Sequence, residues 1–160
     1  MHRNVATVVE AGRVAGLPVE PVEFPEGTRT ALDAAAAIGV EVGQIVKSLV
    51  FAVDGKPVVA LVSGANTLDE GKLAVAAGGT SAARVDADTV REVTGFPVGG
   101  VPPLGYRQAL HVFLDRDLLA YDVVWAAAGT PHANFSASPM ALAGATAAVV
   151  CDLAVSPTGR

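Results

Sequence analysis

The segment Ile45-Val46-Lys47-Ser48-Leu49-Val50-Phe51 constrains this chain more than any other stretch. Its β-branched and aromatic residues form a near-continuous apolar run, the pattern of a strand buried on both faces. Beyond it, Asp54-Gly55 is a strong two-residue turn signal, and Pro57 to Val62 (PVVALV) supplies a return strand. The pattern therefore predicts a central hairpin, with its first strand over about Gln44 to Val53. Lys47 interrupts the run, and a lysine is almost never fully buried unless it is paired. Two readings stay open from this segment alone. The ammonium escapes at a sheet edge, or it faces a cleft that takes a negative or carbonyl-bearing ligand.

Around the hairpin the signals alternate. Asn4 is placed to cap a helix running to about Leu17, stopped by Pro18. Val19 to Phe24 contains Pro21 and reads as an edge strand. Thr28 or Thr30 caps an alanine-rich helix ending near Gly39. Thr67 and Glu70 have capping-box spacing for a helix to Ala77, and Gly78-Gly79 ends it. Thr80 to Val85 is a short strand, followed by a helix from Asp86 to Gly95. Residues 96–105 hold three glycines and three prolines and form no regular element. Ala109 to Leu114 and Asp122 to Ala128 read as strands, with a helical turn over Asp115 to Leu119 between them. Residues 129–137 read as a second irregular loop, and Ser138-Pro139 opens a last helix to about Ala143. Ala147 to Cys151 is apolar and fits more than one element, and residues 155–160 read as a frayed tail.

Hairpins mixed with strand–helix–strand connections predict an α+β chain: one mixed, mostly antiparallel sheet surrounded by helices, in a single domain over 1–160. The length allows one domain with a substantial core, and 51% hydrophobic against 17% charged residues excludes a disordered chain. A net charge of −5 argues against non-specific binding to long nucleic acid, DNA included, but leaves room for a local basic patch. The single cysteine, Cys151, excludes an intramolecular disulfide framework and fits a reducing compartment. With no N-terminal signal and apolar runs broken well before ~18 residues, the expectation is a cytoplasmic protein that does not span a membrane.

Few residues invite chemistry. His2, His111 and His132 lack ligand-like spacing, so no metal site is expected. No GxxxxGK[ST] or GxGxxG occurs, and no cofactor is expected. Lys47-Ser48 could be read as a Ser–Lys hydrolytic pair. Adjacent strand residues point to opposite faces, however, so the two side chains should diverge.

The combination is more specific than its parts. Lys47 in KSLVF, the run GFPVGGVPPLG at 95–105 and AAGTPHANFSASP at 127–139 together resemble the YbaK/ProX family. Its members are freestanding aminoacyl-tRNA deacylases related to the editing insertion of bacterial prolyl-tRNA synthetase. The resemblance runs from about Thr30 to Ala143 in matching order. It implies a YbaK-like fold and a trans-editing hydrolase that clears a small amino acid, such as Cys, Ala, Ser or Thr, from a noncognate tRNA, with tRNA-Pro as a candidate. It implies Lys47 as the essential polar residue, either anchoring substrate or taking part in the chemistry. It implies a wall for the terminal adenosine from Gly99, Gly100, Val101 and Pro103, and an aminoacyl pocket shaped by Gly129, Thr130, His132 and Asn134.

The implied partner is an aminoacyl-tRNA 3′ end, with a synthetase as a candidate second partner and the protein a monomer or homodimer. Given the acidic balance, RNA contacts must be local, through residues such as Arg84, Arg91 or Arg107. Ser48 departs from relatives that carry Thr or Asn after the lysine, which leaves the preferred amino acid open. Two other readings remain: a noncatalytic module that binds a nucleotide or aminoacyl ligand beside a synthetase, and a lysine Schiff-base enzyme.

Overall fold

A computed structural model of the chain describes residues 1–156. In chain order the elements are α1 (Arg3–Ala15), β1 (Val22–Glu23), α2 (Ala31–Ile38), β2 (Ile45–Val53), β3 (Lys56–Ser63), α3 (Glu70–Ala76), β4 (Ala82–Arg84), α4 (Ala87–Thr94), β5 (Val112–Asp115), β6 (Val124–Ala127), β7 (Ala133–Ala137), α5 (Pro139–Thr146) and β8 (Val149–Cys151). The hairpin forms as predicted, with Val53 opposite Lys56. Its turn residues have φ of 48° at Asp54 and 84° at Gly55, the left-handed pair that a two-residue hairpin requires. The Asp54 carboxylate also accepts from the Thr80 and Ser81 amides, which ties the turn to the start of β4.

The sheet runs β1-β7-β6-β2-β3-β5-β8, with β4 attached to β2 off that path. Four ladders are antiparallel (β1–β7, β2–β3, β2–β4, β6–β7) and three are parallel (β2–β6, β3–β5, β5–β8). The mixed, mostly antiparallel sheet expected from the sequence is therefore present. Helices cover both of its faces. On one face, Val46, Val50, Val59, Leu61 and Leu114 join Val5 and Val8 of α1, Val90 and Val93 of α4, and Leu142 of α5. On the other, Phe51, Val58, Ala60, Val62 and Phe113 pack on Leu73 of α3 and on Leu153. Ala34 and Ala35 bring α2 onto Ile45 on that second face.

Local signals differ from the expectations in instructive places. Helix α1 is capped by the His2 ring, which accepts from the Asn4 amide, so Asn4 lies inside the helix. Asp69, not Thr67, caps α3, accepting from the Lys72 amide at 3.0 Å. Leu68 instead bridges to Ala154, and the Thr67 carbonyl takes the Val155 amide, so tertiary pairing removes Thr67 from the cap position. Of Val19 to Phe24, only Val22–Glu23 is a strand. The segment read as a loop at 129–137 contains β7, whose polar and small residues concealed a strand paired on both edges, to β1 and β6. Ala147 to Cys151 resolves into β8. Most of the expected tail, 157–160, lies outside the described residues.

Leu61 is fully buried on β3, where it faces the cluster formed with α1, α4 and α5. Leu61→Ala should cost about 3 kcal/mol of stability in a urea unfolding titration, the usual range for a buried leucine that leaves a cavity.

Candidate active site

Strand β2 has two unlike edges. One pairs with β3 from Val46 to Val53 without interruption. The other meets β6 at Ile45–Val46 and β4 at Phe51–Val53, and no strand pairs with Lys47, Ser48, Leu49 or Val50 on that side. The Ile45 carbonyl accepts from the Gly64 amide on the β3 side, and the Asp54 amide donates to Ser81 on the β4 side. With a period of two, the amides and carbonyls of Ser48 and Val50 point into the gap.

A cavity of about 510 Å³ fills this gap. Its apolar wall includes Ala31, Ala34, Ile45, Leu49, Phe51, Val90 and Val101. Its charged lining is Lys47, Arg29 and Arg84, with no carboxylate among the lining residues. In a chain of net charge −5, that places three cations around one apolar hollow and suits an anionic ligand with an apolar part. The arrangement fills two needs at once: polar groups to orient a ligand and an apolar surface to bury it.

Lys47 is half-buried, and its ammonium donates to the main-chain carbonyl of Asn66. Burial pushes it below the ordinary lysine range, while attraction to Asp115 pulls it back up. Ser48 pairs with Leu61 on the opposite face, as strand alternation requires. Its hydroxyl is buried with no hydrogen-bond partner, so it has no base beside it to activate a nucleophile.

The loop segments meet the cavity through specific contacts. Thr30 caps α2, its hydroxyl accepting from the Asp33 amide at 3.0 Å. That leaves Thr28 free to serve the cavity. Thr28 donates through its hydroxyl to the Pro131 carbonyl and accepts from the buried Asn134 amide. The Thr28 and Phe24 amides donate to the Pro131 and His132 carbonyls, which stitches residues 24–28 to the 130–134 turn. Phe24 also stacks edge-on against Trp125 of β6, with ring centroids 6.4 Å apart. On the other side, Gly100 lies so close to Thr130 that an added Cβ would sit 2.8 Å from the Thr130 Cα. Gly99 packs on the stem of Arg29. The Tyr106 hydroxyl holds the same loop by donating to the Pro102 carbonyl at 2.7 Å.

Of the residues singled out by sequence, Lys47, Gly99, Val101 and Asn134 line the cavity together. Gly100, Pro103, Gly129 and Thr130 do not line it. Gly100 and Thr130 form the contact between the two loops, Pro103 is buried, and Gly129 packs on the Asn4 main chain. His132 is exposed outside the cavity, with its ring Nδ1 3.4 Å from the Phe24 carbonyl. Arg84 lines the cavity, its guanidinium 5.9 Å from the centroid of the Phe51 ring. Arg91 and Arg107 lie elsewhere on the surface. Thr28, read from the sequence only as an alternative cap to Thr30, and Arg29 were not singled out as site residues; the one available signal was that only one of two neighbouring threonines can cap α2. Among the described residues, no cluster of three or more His, Cys, Asp or Glu could hold a metal ion.

The two loops touch backbone to backbone at Gly100. Gly100→Ala should therefore destabilise the protein by about 1–3 kcal/mol, as overpacking does, visible as a lowered Tm.

Comparison with known proteins identifies the family. Residues 25–144 match the model of the aminoacyl-tRNA editing domain. A proline–tRNA ligase of Maridesulfovibrio salexigens is 39% identical over 101 residues, 63% of this chain but 17% of that protein. The chain thus spans under a fifth of the length of the ligases it matches first. An Enterococcus faecalis protein named "Putative Cys-tRNA(Pro)/Cys-tRNA(Cys) deacylase EbsC" is 30% identical over 143 residues, covering 87% of this chain and 85% of its own. A crystal structure described as "a putative trans-editing enzyme for prolyl tRNA synthetase" superposes with a TM-score of 0.91 at 46% identity. It covers 98% of this chain and 99% of that one. The chain belongs to the aminoacyl-tRNA editing domain family.

Proposed function

We propose that this protein is an aminoacyl-tRNA deacylase, which hydrolyses the ester joining a small amino acid to the 3′-terminal ribose of a noncognate tRNA. The observation that carries this reading is the open edge of β2. It brings an ammonium, free main-chain donors and acceptors, and an apolar hollow into one cavity. Membership of the editing family and the relatives' printed names support the reaction class. Proline-specific ligases among the relatives favour tRNA-Pro as the carrier.

The reaction needs no protein nucleophile. Water adds to the ester carbonyl, forming a tetrahedral oxyanion. The bond to the ribose oxygen then breaks, and the proton from water passes to that oxygen. Amides of Ser48 and Val50 are fixed donors for the developing oxyanion, and as main-chain groups of a paired strand they cost little reorganisation. The vicinal ribose hydroxyl positions the attacking water and restricts the substrate to RNA. Lys47 anchors the negative end of the substrate, since a compact ammonium suits a phosphate or carbonyl oxygen. Arg29 and Arg84 flank the same cavity for the terminal phosphodiesters. Gly99 and Val101 wall the terminal adenosine, while Thr28 and Asn134 border the aminoacyl group. Gly100 and Thr130 act from behind, by holding the two loops against each other, while Gly129 packs on Asn4 and His132 lies against the Phe24 carbonyl. A second hydrolytic sieve is needed because a synthetase pocket separates near-isosteric side chains by only ~1–3 kcal/mol.

The test is a deacylation panel of Ala-, Cys-, Ser- and Thr-charged tRNA-Pro with purified protein. At least one should be discharged catalytically, and Lys47→Ala should lower kcat/KM at least ~100-fold with an unchanged circular dichroism spectrum. Saturable binding of all four without turnover would instead identify a noncatalytic module. Arg84→Ala should weaken tRNA binding and reduce the slope of log K against log salt by about one phosphate contact, ~0.7 for a single strand.

A further inference from the structure

The side chain of Asp115 is buried yet lies outside the cavity, and the reaction described above makes no use of it. It ends β5 on the same sheet face as Lys47. Lys47 faces Val62 on β3, and Asp115 follows Leu114, which faces the neighbouring Leu61. One carboxylate oxygen accepts from the Ser63 amide at 3.1 Å and from the Asn66 side-chain amide at 2.8 Å. The other accepts from the Asp117 amide at 3.0 Å. All three partners are donors, the set that an acceptor-only carboxylate satisfies. Asn66 Nδ2 is shared with Asp117 at 2.8 Å, and the Asn66 amide closes a turn onto the Ser63 carbonyl at 2.9 Å. The carbonyl of that same Asn66 receives the Lys47 ammonium.

We propose that Asp115 is a positioning residue for Lys47, holding the lysine ammonium at one point of the cavity through the Ser63–Asn66 turn. This rests on the deacylase reading for its consequence in catalysis, but not for its structural content. In the Ser63–Asn66 turn, where the Ser63 hydroxyl also donates to the Gly43 carbonyl and the Gly64 amide to the Ile45 carbonyl, the buried carboxylate holds the Ser63 amide and the Asn66 side chain, and through the Asp117 amide it ties both to the turn beginning with Arg116. Fixing the turn fixes the Asn66 carbonyl, and the carbonyl fixes the end of a side chain with four rotatable bonds. The same carboxylate offsets part of the cost of burying the ammonium. The other charges around Lys47 are Asp117, through the shared Asn66, and the cations Arg29 and Arg84 across the cavity. Cys151, opposite Asp115 on β8, has its thiol pushed up by burial and then by Asp115 and Asp152, so it adds no charge there.

The chain has three lysines, Lys47, Lys56 and Lys72, so lysine labelled with 13C gives three Cε signals, with Lys47 assigned by its loss in Lys47→Arg. In the wild type, Lys47 should titrate below the ordinary lysine range. In Asp115→Asn it should titrate lower still, because the opposing attraction is gone. The alkaline limb of deacylation, where the ammonium discharges, should move to lower pH in step, and kcat/KM at neutral pH should fall about tenfold. Should Asp115→Asn not fold, Asn66→Ala cuts the link while leaving Asp115 its two main-chain donors. It should displace the Lys47 signal and lower kcat/KM severalfold. A Lys47 titration unchanged in folded Asp115→Asn, or an undisplaced signal in folded Asn66→Ala, overturns the proposal. Shifted Lys47 signals in a protein that discharges no tRNA at all would uphold the positioning and overturn the deacylase reading.

Discussion

Everything at the site follows from incomplete pairing along one edge of β2. A strand in the middle of a sheet ordinarily has its main-chain groups satisfied on both sides, because a buried unpaired amide or carbonyl costs free energy. Here β3 completes one edge, while β6 and β4 reach only the two ends of the other. The four residues between them keep their extended conformation because the hairpin holds them on the far side. They therefore present rigid, preoriented donors and acceptors to a cavity. Such groups lose little freedom when a ligand arrives, which is the condition for strong electrostatic stabilisation of a reacting centre.

The second constraint is the lysine. Half-burying an ammonium in an apolar wall is costly, and the surroundings answer it with a carbonyl within reach and a carboxylate one residue beyond. The carboxylate lies behind the turn instead of in the cavity. That separation leaves the cavity lining cationic, whereas a direct ion pair would have neutralised the lysine. The two glycine-bearing loops contribute shape more than chemistry. Gly100 and Thr130 touch through backbone, and Asn134, Thr28 and Pro131 form one hydrogen-bonded chain that closes the wall.

Much of this was legible in the residues. The hairpin announced itself through a dense β-branched run, an Asp-Gly turn and a return strand, all local in the chain. Asp86 and Ser138 were recognisable caps for the same reason, and Thr30 was one of two candidates for the cap of α2. The failures were non-local. Residues 133–137 (ANFSA) have too little β-branched content to signal a strand, and become one because β1 and β6 lie on either side. Thr67 has ideal capping-box spacing, but its carbonyl is taken by Val155 from the other end of the chain. The family resemblance implied His132 as a pocket residue, yet the turn that carries it directs its ring outward to the Phe24 carbonyl.

By itself, then, the amino-acid sequence determined the central hairpin, the lysine inside the apolar run of its first strand, the opposed facing of Lys47 and Ser48, and a family-specific set of loops. These depend on strand period, turn chemistry and short motifs, which act over a few residues. Only the tertiary structure decided that β2 is unpaired between β6 and β4, that Arg29, Arg84 and Thr28 join Lys47, and that Asp115 stands behind Asn66. Those relations link residues up to a hundred positions apart. No local propensity encodes which strand edge stays open, because that follows from where neighbouring strands end once the whole sheet has packed.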